Sequence, residues 1–221
     1  MCGIFGSTKL NKFERLYCKN KQRGDFAYGF IYFKTNGEMH TRRGAGTCML
    51  SNEYTWKHKS VYDKFLGHTQ APTSSERDYH PNTSHPFECG NFIVAHNGVL
   101  ENHLTLAADH RIPVDSIKVD SQIIPMLLDD LYVGSDVMAI KEVCSLLRGI
   151  FSCWIFCKTT KLIYVVRSGC TLYTDKDMTS FSSLEFGDVK NELDAGVIYC
   201  YTSEGLTSVD TFSTDNPFLI L

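Results

Sequence analysis

Cys2 is the residue whose position carries the most chemistry. Removing the initiator methionine frees its α-amine, whose ordinary pKa of about 7.7–8.0 leaves much of it neutral near physiological pH. A thiol and a base then occupy one residue. That is the logic of N-terminal hydrolases, in which the α-amine takes the place of a histidine. Asn97-Gly98 is the second chemically suggestive pair. At a strand end a side-chain amide and a backbone N–H can point at one oxygen, as a tetrahedral oxyanion requires. An isolated Asn-Gly is equally the signature of a type I′ turn. Asp120 precedes an apolar helical run and reads as an N-cap. His80 and His85 suggest a metal, but no second ligand cluster stands at a zinc-like spacing, so no metal site is expected.

These residues need a scaffold, and its elements are readable in outline. Leu10, Phe13, Leu16 and Tyr17 fall at helical spacing and predict a helix over 10–21. Two strand-like runs, FAYGFIYFK and EMHTRRG, flank Thr35-Asn36-Gly37, a strong hairpin signal. A strand is predicted at 64–69 and a loop at 71–90, rich in Pro, Ser, Thr and His. The run NFIVAHNG reads as a strand ending in a turn. Helices are predicted at 121–133, with Pro125 near its first turn, and at 135–148, opened by Ser135 as a cap. After Gly149 the pattern turns β-rich through CWIFC, LIYVV, CTLYT, TSFSS and GVIYCYT. Strands and helices come in blocks, which favours a layered α+β fold in one domain spanning 1–221.

Composition narrows the function classes. The 221 residues carry 22 basic and 25 acidic side chains, a net charge of −3. That balance gives no electrostatic footprint for nucleic acid or an anionic membrane. No run approaches the roughly 18 apolar residues of a spanning helix, and no secretory signal is visible, so a cytoplasmic protein is expected. Nine cysteines without framework spacing read as reduced, mostly core thiols. Alternation places Cys153 and Cys157 on one strand face.

The motifs occur in a fixed order: Met1-Cys2-Gly3-Ile4-Phe5-Gly6, Arg23-Gly24 with Gly29, Gly67-His68-Thr69, His85-Pro86, the run from His96 to His103 (HNGVLENH), and Asp120-Ser121. This series resembles the class II glutamine amidotransferases, a family of N-terminal-nucleophile hydrolases, and the resemblance covers essentially the whole chain. It implies a four-layer αββα sandwich of two mostly antiparallel sheets. It implies Cys2 as nucleophile and α-amine base, with Asn97 and Gly98 as the oxyanion hole. In the family the residue matching Asp120 binds the glutamine α-ammonium. Arg23 and Thr73 also fall on substrate-binding positions. His68, His85 and His103 read as structural, and no cofactor is implied.

Three departures from the family pattern stand out. The motif G-H-x-R ends here in Gln70, where the family Arg grips the substrate α-carboxylate with a charged fork. A hydrogen bond to a charged group contributes about 1.5–3 kcal/mol, so the change bears directly on glutamine affinity. Either Arg77 restores the charge, or the substrate is an amide whose α-carboxylate is blocked, or the site is degenerate. Retention of Cys2, Asn97, Gly98 and Asp120 argues against the last. Phe26 stands where the family usually carries Asp, with Asp25 as its neighbour, and Thr171-Leu172-Tyr173 replaces a common Pro-Leu.

The expected activity is hydrolysis of the glutamine side-chain amide through a Cys2 thioester, with residues 70–79 as a lid. No P-loop or GxGxxG is present and no synthase domain is visible, so the expected partner is a separate ammonia-accepting synthase. Two alternatives stand beside this: an amidase for a modified γ-glutamyl compound, and a non-catalytic amino-acid-sensing subunit.

Overall fold

Apolar spacing dictates the first helix, α1 (Leu10–Asn20), whose Leu10, Phe13, Leu16 and Tyr17 all turn inward and are buried. They pack on a sheet built from alternating strands. The computed structural model describes residues 2–48, 61–72 and 78–213. These form two compact units: Met1–Pro86 with Leu172–Leu193 and Thr202–Gly205, and Phe87–Thr171 with Asp194–Tyr201 and Leu206–Leu221.

The first unit holds β1 (Gly3–Ser7), β2 (Ala27–Lys34), β3 (Met39–Ala45) and β4 (Tyr62–Gln70), with β9 (Tyr173–Thr174), β10 (Ser180–Ser182) and β11 (Asn191–Glu192) returning later in the chain. Their order is β11-β9-β10-β1-β4-β2-β3, and neighbouring strands run antiparallel. The predicted hairpin is present: Gly37 adopts φ +84°, and Asn36 Oδ1 accepts from the Glu38 N–H at 3.0 Å. The core is aromatic. Phe13 stands 5.2 Å from Phe5 and 5.5 Å from Phe30 between ring centroids, and Tyr17 meets Phe30 edge-on at 4.9 Å.

The second unit holds β5 (Phe87–Cys89), β6 (Phe92–Leu100), β7 (Gly149–Cys157), β8 (Ile163–Ser168), β12 (Val197–Thr202) and most of β13 (Gly205–Thr211). Their order is β13-β12-β8-β7-β6-β5. Helices α2 (His103–Asp109), α3 (Ile123–Asp130) and α4 (Asp136–Leu146) belong to the same unit. The core is aliphatic, with Ile123, Leu127, Ile140 and Val143 packed together with Val94, Cys153, Ile155 and Cys157. Cys153 and Cys157 share one strand face, as the alternation predicts.

The fold class is therefore α+β with two antiparallel sheets and accompanying helices. Sequence reading differs from structure in four places. The stretch 71–90 carries a 3-10 turn at Pro81–Thr83 and strand β5, because the Phe87–Cys89 backbone finds partners in β6. Helix α2 lacks a strong apolar period and escapes prediction. The helix expected from 121 begins as a 3-10 turn at Asp120–Gln122 before α3. Strand β6 does not turn at Asn97-Gly98: Ser152 and Phe151 of β7 pair with that dipeptide, and the strand runs on to Leu100. Ser135 caps α4 as expected, its Oγ accepting from the Met138 N–H at 3.4 Å. No helix among the described residues is long and apolar enough to cross a membrane.

Candidate active site

In the first unit, the sequence-predicted residues gather at one end of neighbouring strands. Cys2 is half-buried and immediately precedes β1, whose Gly3 pairs with Thr69 of β4. Thr69 is followed by Gln70, the last residue of that strand. Space is scarce here: a Cβ on Gly3 would stand 2.6 Å from Asn20 Oδ1, and one on Gly24 would stand 2.2 Å from the Ala71 nitrogen. Gly24 thus lets the Arg23-Gly24 segment lie against the Gln70-Ala71 backbone. The Phe26 N–H adds a bond to the Gln70 carbonyl at 3.0 Å.

Two side chains at this end are anchored on carbonyls. Arg23 Nη1 donates to Ser183 O at 3.2 Å, while Ser183 Oγ accepts from the Ile4 N–H at 3.0 Å. Gln70 is 2% exposed and its Nε2 donates to Thr83 O at 3.2 Å. His68 and His85 are buried and stacked, with ring centroids 3.9 Å apart. Thr73, Arg77, Met1 and the middle of the 70–79 lid lie outside the described residues.

The second unit brings Asn97, Gly98 and Asp120 onto a common support. Asn97 is buried in β6, and its Nδ2 donates to Ser152 Oγ at 3.4 Å. Gly98 has φ +150°, and a Cβ there would stand 1.9 Å from the Ile150 carbonyl oxygen, so glycine is required on both counts. Asp120 is half-buried at the start of the 3-10 turn. Its Oδ2 accepts from the Leu100 N–H at 2.9 Å, and its Oδ1 accepts from the Ser121 N–H at 2.8 Å and Ser121 Oγ at 3.1 Å. The carboxylate is thereby tied to the end of β6. Beyond Gly98 the HNGVLENH segment is a brace. Asn102 donates to the Leu146 carbonyl and accepts from the Arg148 N–H, both at 2.9 Å, and His103 Nδ1 lies 3.0 Å from the Leu100 carbonyl.

Sequence reasoning missed Ser183, Ser152 and Asn20, and gave His96 and Ser121 no role. Ser183 stands 160 positions from Arg23, and no local pattern marks it. A surface cavity of about 220 Å³ lined by Lys9, Asn11, Lys12, Arg15, Phe186 and Asp188 contains none of the predicted residues.

A region spanning 69% of this chain is 24% identical to a 7-cyano-7-deazaguanine synthase from Sulfolobus acidocaldarius and covers 35% of that protein. A shorter region, 42% of the chain, is 33% identical to a glutamine–fructose-6-phosphate aminotransferase (isomerizing) from Symbiobacterium thermophilum and covers 16% of it. The structure of a glutamine phosphoribosylpyrophosphate amidotransferase from B. subtilis superposes with a TM-score of 0.71. That match is 20% identical and covers 96% of this chain and 49% of the other. The resemblance to the class II glutamine amidotransferase domain holds. The chain spans less than half the length of these curated relatives. No protein-family profile matches it.

Proposed function

We propose that residues 1–221 act as one glutaminase domain that hydrolyses the glutamine side-chain amide and releases ammonia to a separate acceptor protein. The observation that carries this reading is Cys2 at the head of β1, beside the Arg23 and Gln70 anchors, in a fold shared with an amidotransferase along 96% of the chain. Once Met1 is removed, the Cys2 thiolate attacks the amide carbon. Asn97 Nδ2 and the Gly98 N–H stabilise the oxyanion, while Asp120 takes the substrate α-ammonium and Arg23 and Thr73 contact the substrate. The Cys2 α-amine passes a proton to the leaving nitrogen, ammonia departs, and a γ-glutamyl thioester remains. Water then cleaves the thioester, giving glutamate and restoring the thiol. Nine cysteines without framework spacing fit a reducing, cytoplasmic setting.

The test is intact mass and glutamine-dependent ammonia release on one purified sample. Loss of Met1 with ammonia release is the expected result. Met1 retained, with no activity after proteolytic exposure of Cys2, overturns the reading in favour of an amino-acid-sensing subunit.

Gln70 supports a second reading. Buried, uncharged and bonded to the Thr83 carbonyl, it offers no cation to an α-carboxylate. A γ-glutamyl amide with a blocked α-carboxylate suits such a position, unless Arg77 supplies the charge. Gln70→Arg then raises glutamine turnover by roughly 10-fold or more, the equivalent of about 1.5–3 kcal/mol of charged hydrogen bonding. No gain means the charge is already provided.

A further inference from the structure

Behind Asp120 runs a polar chain that the proposed chemistry does not use. His96 is buried on β6, and its Nδ1 lies 2.8 Å from Ser121 Oγ. Ser121 Oγ in turn lies 3.1 Å from Asp120 Oδ1, so the imidazole reaches the carboxylate through one hydroxyl. The Ile150 carbonyl on β7 also acts on the ring, favouring its charged form. That carbonyl and His96 Nε2 are the two groups a Cβ on Gly98 would strike, at 1.9 and 2.8 Å. One imidazole therefore lies against the Gly98 backbone and props up Asp120.

We propose that His96 is a positioning residue that fixes the Gly98 N–H and, through Ser121, the Asp120 carboxylate as one unit. The inference rests on the reading of Gly98 as an oxyanion donor and Asp120 as the ammonium-binding group. Proton counting gives the device its second property. Ser121 has one hydroxyl proton and two candidate acceptors, His96 Nδ1 and Asp120 Oδ1. With a neutral ring protonated on Nε2, Nδ1 accepts the hydroxyl proton and Asp120 keeps its two backbone donors. With a protonated ring, Nδ1–H donates to Ser121 Oγ and the hydroxyl turns to Asp120. The arrangements differ by one proton and a hydroxyl rotation. An α-ammonium at Asp120 favours the neutral ring, because it neutralises the carboxylate that stabilises an imidazolium.

Among the described residues, the titratable groups beside the ring, other than Asp120, are thiols. Cys153 is its direct partner across β7, with Cys144 and Cys170 close to Cys153. Burial pushes the Cys144 and Cys153 thiols up, so both stay neutral at ordinary pH. Asp120 is the carboxylate that acts on His96.

Histidine-ring NMR on the full chain tests this without requiring turnover. The wild type, Asp120→Asn and Ser121→Ala are titrated from about pH 8 to about pH 5, with L-glutamate as the probe. Asp120→Asn is expected to lower the midpoint of the His96 titration by about one pH unit, or to leave the ring neutral throughout. Ser121→Ala moves the Nδ1 shift, and L-glutamate lowers the midpoint in the wild type only. Identical ring shifts and midpoints in all three proteins, with and without glutamate, overturn the proposal.

Kinetics supply the second arm. His96→Leu is expected to lower kcat for glutamine about 10²-fold with a smaller change in KM, and His96→Asn to recover part of it. Ser121→Ala raises KM more than it lowers kcat. A wild type that binds L-glutamate but hydrolyses nothing defeats the glutaminase reading, while the NMR titration still decides the role of His96.

Discussion

The two units hold their candidate residues by different means. In the first, side chains are anchored on the main chain, Arg23 on the Ser183 carbonyl and Gln70 on the Thr83 carbonyl, and a main-chain bond from the Phe26 N–H to the Gln70 carbonyl adds to them. In the second, the Leu100 and Ser121 N–H groups hold Asp120, and side chain also supports side chain, from His96 through Ser121 to Asp120. The cores differ in the same sense, with edge-packed aromatic rings beneath β1 and aliphatic residues with buried thiols beneath β6. Backbone anchors survive a change of side chain at the far end of the contact. A chain of polar side chains fails when one member is removed, because a buried donor or acceptor is then left unmade. Substitutions near β4 should accordingly act locally, while substitutions around β6 should spread.

The largest expected effect separates chemistry from this support. Cys2→Ala should bring ammonia release to background while leaving L-glutamate binding intact, measured by coupled ammonia assay and calorimetry. Undiminished activity in Cys2→Ala ends the thioester mechanism. Core truncations come next and compare the units directly. Phe13→Ala should cost about 3–5 kcal/mol and Leu127→Ala about 2–5 kcal/mol. Phe13 belongs at the upper end, because it loses ring contacts with Phe5, Phe30, Tyr32 and Phe65, each worth about 0.5–1.5 kcal/mol beyond area burial. Urea denaturation gives both values, and a cheaper Phe13→Ala would remove the distinction between the cores.

Glycines sharpen the contrast at the candidate site itself. Gly24→Ala meets backbone at 2.2 Å, a contact problem alone, whereas Gly98→Ala meets the Ile150 oxygen at 1.9 Å and also needs φ +150°. The strained dihedral adds about 1–3 kcal/mol to the clash. Thermal melts should therefore rank Gly98→Ala as the more damaging, and equal losses would mean that β6 relaxes locally around the new methyl group.

Much of this was readable from local pattern, and the failures share a cause. Helix α1 and the Asn36-Gly37 hairpin depend on spacing within a few residues, and both appear where expected. The Asn97-Gly98 pair looks like a turn only while β7 is ignored, since a partner strand far along the chain keeps β6 extended. Strand β5 follows the same rule. Cys2 and Asp120 stand out in the sequence because each sits at a telling position, before a strand and before a helix. His96 and Ser121 have no such mark, and their pairing across 25 positions exists only in three dimensions.

The smallest expected effect is a difference in acid sensitivity between the units. Burial pushes the His96 ring down, the Asp120 carboxylate and the Ile150 carbonyl pull it up, and burial prevails, leaving it below its ordinary 6.5. A histidine with a depressed folded-state pKa binds fewer protons folded than unfolded once the pH falls below 6.5, so stability declines from there until the ring itself titrates. Burial also pushes Asp175 up, but the bond from Lys12 Nζ at 2.6 Å and those from Thr179 prevail and hold its carboxyl below 3.8. Its contribution is intact above 3.8 and is lost only as the pH falls through the lower folded value. Melting profiles should thus show a limb beginning near pH 6.5 that flattens in His96→Asn, and a limb below 3.8 that flattens in Lys12→Met. Each pH unit between folded and unfolded midpoints corresponds to about 1.4 kcal/mol, which puts these limbs below the core effects. If His96→Asn leaves the upper limb unchanged, the ring titrates alike in both states. The second unit then owes its acid sensitivity to another group.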